Sequence, residues 1–192
     1  MPLVLTLSGS LLLGIAYSID LPLLRWKRSP FLAAMCILAV RALIVQLGFF
    51  SHVTLSVMRV PRFHWTNSLL FGTGFMVLFS VAIALFKDLP DILGDERAGL
   101  KTFSVRLGPR LIFKSCIALL STAYACAIGV GLFCSNYWWS RGVTMASHLV
   151  LGAVLIHKSK KVEMESSDSL YTFYMFIWKL FYAEYILLPF MR

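Results

Sequence analysis

The chain has 192 residues, 59% of them hydrophobic and only 14% charged, with 18 Lys and Arg against 9 Asp and Glu for a formal net charge of +9. Soluble domains run near 45–50% apolar and about 25% charged, so a water-soluble globule is excluded. Most of the basic residues sit in short loops between apolar runs, where they report membrane orientation and give no reason to expect nucleic-acid binding.

In chain order, six apolar stretches approach the length that crosses a bilayer as a helix: Leu3–Ile19, Phe31–Phe50, Asn67–Phe86, Leu111–Phe133, Gly142–His157 and Leu170–Phe190. The fifth is the shortest. No stretch alternates like a barrel strand, and an open sheet cannot satisfy its backbone in lipid, so the fold class is all-α, a polytopic transmembrane helical bundle. Each of the 7 prolines falls in a proposed connection or near a helix end. "MPLVLTLSGSLLLGIAYSID" lacks the charged region and cleavage site of a signal peptide and the Arg- and Ser-rich character of a transit segment, so it reads as the first membrane helix. Residues 1–192 read as one domain without repeats or low-complexity tracts.

If the helices alternate, the loops after the first, third and fifth hold eleven Lys and Arg, against Arg59, Arg62, Arg141 and Arg192 on the other side. The richer side is the one from which the chain is inserted. Cys36, Cys116, Cys126 and Cys134 form no CxxC pair, and His52, His64, His148 and His157 are dispersed, so neither zinc site nor disulfide framework is indicated. His148, alone within a helix, reads as a packed or hydrogen-bonded residue.

The segment "KDLPDILGDERAGLKTFSVRLG", Lys87 to Gly108, lies on the basic side. Asp88, Asp91 and Asp95 are spaced by three and four, which on a helix places them within roughly 60° of one another. Such carboxylates repel beside a membrane unless a cation occupies the site. Hard oxygen ligands select Mg²⁺ or Ca²⁺; the spacing is not that of an EF-hand, and Mg²⁺ takes one or two carboxylates while phosphate oxygens and water complete its shell. Lys87, Arg97, Lys101 and Arg106 supply cations for a diphosphate, and Tyr17, Arg25 and Lys27 fall on the same side. A solvated turn, which Pro90 and Gly94 would suit, is the plainer reading of the same residues. Arg41 and Gln46 lie inside the second helix, where a charge calls for a bundle-facing partner, as do Lys179 and Glu184 in the last. The aromatics of the last helix run right round it, which suits packing and lipid contact more than a tunnel lining.

The segment closely resembles the second aspartate-rich motif of the UbiA superfamily of intramembrane aromatic prenyltransferases. "AYSIDLPLLRWKR", "AAMCILAVRALIVQ" and "FYMFIWKLFYAEYILLPF" resemble its plant homogentisate phytyltransferase branch. The resemblance implies a nine-helix fold with two aspartate motifs facing each other across a cavity. About six helices and the second motif are present, so the chain corresponds to the C-terminal two-thirds, with the first three helices and first motif expected upstream. It further implies Mg²⁺ as cofactor, a prenyl diphosphate and an aromatic acceptor as substrates, and a plastid (chloroplast) membrane as location. Asp88, Asp91 and Asp95 would hold Mg²⁺, Asp91 and Asp95 being the catalytic pair; Arg25, Lys27, Lys87, Lys101 and Arg106 would bind diphosphate; Tyr17 and Arg41 would orient substrate. The expected reaction transfers a phytyl or geranylgeranyl group to homogentisate with decarboxylation, in tocopherol (vitamin E) biosynthesis. Leu93, at a position commonly acidic in the branch, and Asp20, where a neutral residue is expected, depart from the pattern. Flavonoid or coumarin acceptors, a non-catalytic truncated protein associating with a full-length relative, and a small cation transporter stand as alternatives. The isolated chain is expected to turn over little or not at all.

Overall fold

In the structure, a computed structural model, the described residues are 1–135 and 137–191, and no strand occurs among them. Arg192, counted above on the sparsely charged side, lies outside them, as does the side chain of Cys134. The helices are α1 (Pro2–Ser18), α2 (Pro30–Val57), α3 (Asn67–Phe86), α4 (Ile92–Arg97), α5 (Phe103–Leu107), α6 (Pro109–Cys134), α7 (Trp138–Ser159) and α8 (Ser167–Leu187). Proline opens α1, α2 and α6, where its missing N–H has no intrahelical partner to lose.

The six long helices match the six apolar stretches, and α2, α3, α6 and α7 are long and apolar enough to span a bilayer. The 17 residues of α1 reach about 25 Å, and α8 carries Asp168, Lys179 and Glu184 among its aromatics. The chain is thus an integral membrane protein. Boundaries differ from the apolar runs for local reasons. Helix α2 continues past Phe50 to Val57, and α7 starts at Trp138, ahead of the apolar run, with Arg141 in its first turn. Helix α8 begins earlier because the Ser166 side chain caps it, accepting from the Ser169 N–H, and it gives way to a 3-10 turn, Leu188–Phe190, at Pro189.

The chain divides into two compact units, Met1–Ser80 and Val81–Arg192. In the first, α1 lies against α2 where Gly48 leaves room: a Cβ there would overlap the buried Thr6 side chain. The Cys36 thiol donates to the Leu13 carbonyl at 3.7 Å across the same helix pair. Within α2 the hydrogen bonding widens to π-type over Ala39–Ile44 and Val53–Val57.

In the second unit, α6 and α7 form a tight hairpin. Helix α7 buries Ser140, Thr144 and His148, and at Gly152 the Tyr124 side chain comes as close as 3.3 Å to where a Cβ would sit. Small residues let helix backbones approach in lipid, where no hydrophobic force drives them together. Helix α8 buries Phe173, Ile177, Leu180, Phe181 and Glu184, a stripe at helical spacing. Phe86 at the end of α3, Phe113 in α6 and Phe173 in α8 form a ring triangle with centroids 5.7, 5.6 and 5.4 Å apart. This triangle anchors the chain where it leaves the membrane and enters the aspartate-rich segment. The Ser167 hydroxyl donates to the Pro90 carbonyl, and Arg110 pairs with Glu165 at 2.8 Å. The α3–α6 connection and the α7–α8 connection therefore share one end of this unit, as helix alternation requires.

Candidate functional site

Immediately after Phe86 the helix stops. Lys87 and Asp88 occupy a turn, Leu89 is buried as a plug, and Asp91 is the N-cap of the short α4, which contains Asp95. A single helical face through all three aspartates is therefore not what forms. Pro90 has no N–H to continue the ladder and disfavours α geometry in the residue before it. Asp91 and Asp95 belong to α4, whereas Asp88 is supplied by the preceding turn.

The three carboxylates still share one electrostatic neighbourhood. Burial pushes the Asp88 carboxyl above its ordinary range, the Lys87 ammonium opposes that rise, and the charges of Asp95 and Asp91 add to it. The Asp88 side chain is 16% exposed, and Lys87 Nζ stands 3.7 Å from its Oδ1. Lys87, expected to bind diphosphate, thus already neutralises an aspartate. Asp91 makes no capping hydrogen bond with its side chain, although N-cap aspartates favour one, so its carboxylate is not committed to the helix. Gly94 leaves room for it: a Cβ there would overlap the Asp91 carboxylate and force it to move. Helix α4 ends in a Schellman turn, with Gly99 at φ 69°, Gly99 N–H donating to Glu96 O at 3.1 Å and Leu100 N–H to Asp95 O at 2.8 Å. Beyond it, Lys101 and Arg106 are exposed, and α5 is capped by Thr102, whose hydroxyl accepts from Val105 N–H.

Among the described residues no three His, Cys, Asp or Glu side chains converge to enclose a metal by themselves. The donor set nonetheless fits Mg²⁺ of the kind that takes one or two carboxylates and completes its shell with substrate phosphate. Partly desolvated Asp88 and uncommitted Asp91 are hard oxygen donors whose mutual repulsion a cation relieves.

The remaining candidates lie in the first unit. After α1 the chain reverses through Leu23 and Arg25, both in the left-handed region at φ 67° and 60°, and the Arg25 N–H donates to Ala16 O at 2.9 Å. Left-handed backbone at a non-glycine persists only where its surroundings hold it, so Arg25 is fixed in place. Its guanidinium donates to Asp20, which also faces Arg28 at 3.9 Å, and that hydrogen bond holds the Asp20 carboxyl below the usual carboxylate range. A depressed carboxyl is lost as a partner only when pH falls through its lowered value, so the pair is intact at neutral pH. Lys27 lies exposed in the following 3-10 turn. Tyr17 and Arg41, 24 positions apart in sequence, line a single cavity of about 230 Å³ between α1 and α2, with Ser10, Gly14, Cys36, Ile37 and Val40. Arg41 projects from the π-type turn.

One polar constellation has no counterpart among the sequence candidates as a group. His148 on α7 and Glu184 on α8 are both buried, with Nε2 3.1 Å from Oε2, and Nδ1 lies 2.6 Å from the Thr144 carbonyl. A carbonyl only accepts, so Nδ1 carries a proton and donates, while Nε2 faces the Glu184 carboxyl. The sequence signal was the pair of intramembrane polar residues on separate helices, each requiring a partner.

The class these features define is an integral membrane helical protein with a carboxylate cluster and flanking Lys and Arg residues at one end of its second unit. The chain belongs to the UbiA prenyltransferase family, whose sequence model matches residues 1–180. Over its whole length it is 51% identical to homogentisate phytyltransferase 1, chloroplastic, of Arabidopsis thaliana, covering 48% of that protein. It is 49% identical to a homogentisate geranylgeranyltransferase of Triticum aestivum, covering 46% of it, and 41% identical to naringenin 8-dimethylallyltransferase 2, chloroplastic, of Sophora flavescens, again covering 46%. The chain spans about half the length of the curated relatives it matches. No solved structure matches it.

Proposed function

We propose that this chain is the diphosphate- and metal-gripping part of a single Mg²⁺-dependent aromatic prenyltransferase domain in a plastid membrane. The reaction transfers a phytyl or geranylgeranyl group from its diphosphate to homogentisate, with loss of carbon dioxide, in vitamin E biosynthesis. The observation that carries this reading is the aspartate-rich segment, rooted on the Phe86–Phe113–Phe173 triangle, with Asp88 partly desolvated within the fields of Asp91 and Asp95. The likeness to homogentisate prenyltransferases over the whole chain supports the acceptor.

Asp88, Asp91 and Asp95 hold the metal, with Asp91 and Asp95 the catalytic pair. Bound there, Mg²⁺ would neutralise charge on the diphosphate as the allylic C–O bond breaks. Arg25, Lys27, Lys101 and Arg106 bind the diphosphate oxygens, and Arg25 must leave Asp20 to do so. Lys87 acts on the same charge through Asp88. Tyr17 and Arg41, lining one cavity, orient the aromatic acceptor, Arg41 offering its planar fork to a carboxylate. The apolar helices exclude water that would quench an allylic cation.

The test is Mg²⁺-dependent transfer of radiolabelled phytyl or geranylgeranyl diphosphate to homogentisate, run on this chain and on a version extended upstream to the length of its relatives, with naringenin as a parallel acceptor. Turnover is expected from the extended version and little or none from the 192 residues alone. Asp91→Ala in the extended version should lower kcat by at least about 100-fold, the scale of losing charge stabilisation in a water-poor site. Inactivity of both versions overturns the enzyme assignment, preference for naringenin overturns the acceptor, and activity that survives Asp91→Ala overturns the metal site.

A further inference from the structure

A second cavity lies in the Val81–Arg192 unit, outside the aspartate-rich segment. It measures about 530 Å³ and sits between the end of α7 and the start of α8. Its chemistry is divided. One wall carries His157, Lys158 and Lys161, the floor is Phe173 and Phe176, and Asp168, Ser169 and Thr172 complete the polar rim. Lys158 holds its ammonium 4.7 Å from the centre of the Phe176 ring, a cation over the aromatic face of the floor.

Three features narrow the occupant. Two ammonium groups against the single carboxylate of Asp168 select an anion. The cavity lies where the membrane-spanning α7 ends, so a ligand there is at headgroup depth, and its aromatic floor leads into the buried face of α8. Hydroxyls on Ser169 and Thr172, with the Asp168 carboxylate as acceptor, suit a headgroup that carries hydroxyls beside its phosphate. Basic pockets between transmembrane helices bind the head groups of anionic lipids by this combination of charge and apolar contact.

We propose that this cavity is a binding site for a phosphate-headed anionic lipid with a hydroxylated headgroup, its phosphate on Lys158 and Lys161 and the start of its chain against Phe173. Occupancy has a route to the aspartate-rich segment. Phe173 is both the cavity floor and one corner of the aromatic triangle, and Ser167, at the start of α8, holds the Pro90 carbonyl.

The experiment reads binding, so its result is independent of whether the prenyl-transfer reading holds. The chain is purified in an uncharged detergent and titrated with short-chain phosphatidylglycerol, with retained lipid counted by native mass spectrometry. Phosphatidylcholine of the same chain length and water-soluble glycerol phosphate form the comparison arms. Saturable retention of phosphatidylglycerol is expected, with Lys158→Gln and Lys161→Gln each weakening it by about fivefold. Lys160→Gln, exposed in the same loop but outside the cavity, should leave it unchanged. Equal weakening by all three substitutions, or equal retention of phosphatidylcholine, overturns the site as diffuse attraction. Glycerol phosphate binding as tightly as the lipid overturns the lipid in favour of a free phosphate.

Discussion

At the scale of single residues, Gly94 is where backbone and chemistry constrain each other most tightly. Its φ is ordinary for a helix, so alanine costs nothing in backbone strain there and would favour α4 by up to about 1 kcal/mol. The added Cβ, however, occupies the space of the Asp91 carboxylate. Gly94→Ala in the upstream-extended protein should therefore preserve or raise thermal stability while weakening Mg²⁺-dependent activity by on the order of 10- to 100-fold, the scale of a misplaced reacting group. The check is a Mg²⁺ titration of turnover beside a melting curve. Loss of both together would show that Gly94 serves folding alone. Asp20 is the other residue whose position matters beyond its type: it holds Arg25 in an ion pair, which on the proposed function a diphosphate would have to displace.

At the scale of elements, the six long helices were legible because apolar runs bounded by Pro22, Pro30, Pro61, Pro90 and Pro109 leave few ways to place them. The π-type turns of α2 were not, since a change of one residue per hydrogen bond leaves no mark in a uniformly apolar run. The face shared by Asp91 and Asp95 was legible as spacing, whereas the place of Asp88 was not. Extending a helix through Lys87–Asp91 ignored what Pro90 does to its neighbours. Convergence of Tyr17 and Arg41 depends on how α1 meets α2, which is set by Gly48 and Thr6 and has no local signature. The pairing of α7 with α8 through His148 and Glu184 was legible only as two polar residues in need of partners. It makes a sharp prediction. Glu184→Gln keeps a polar partner for Nε2 and should change thermal stability little, while Glu184→Ala strands a buried polar group and should cost about 1–3 kcal/mol. Melting of the two variants in detergent decides it. Equal loss in both would mean that the pair requires the carboxylate charge.

At the scale of the whole molecule, the question is which charges share a side of the membrane. Inside the second unit the geometry answers it. Ser167 to Pro90 and Arg110 to Glu165 tie the aspartate-rich segment and the start of α6 to the α7–α8 connection at one end, while α6, 26 residues and about 39 Å long, carries the α6–α7 turn with Tyr137 to the other. In a chain freed of its cysteines and reconstituted in sealed vesicles, Lys101→Cys and Lys160→Cys should react with an impermeant maleimide from the same side, and Tyr137→Cys from the opposite one. Lys27→Cys extends the measurement to the first unit. The abundance of Lys and Arg in the loops after the first, third and fifth helices predicts that it reacts from the same side as Lys101 and Lys160. Reaction of Lys27→Cys from the Tyr137 side would separate Arg25 and Lys27 from the aspartates and end their assignment to one diphosphate, while leaving Asp88, Asp91 and Asp95 as a metal site in their own right. Reaction from the Lys101 side is the outcome a single bound diphosphate requires, because its charge cannot be met from both faces of a bilayer whose apolar core is about 30 Å thick.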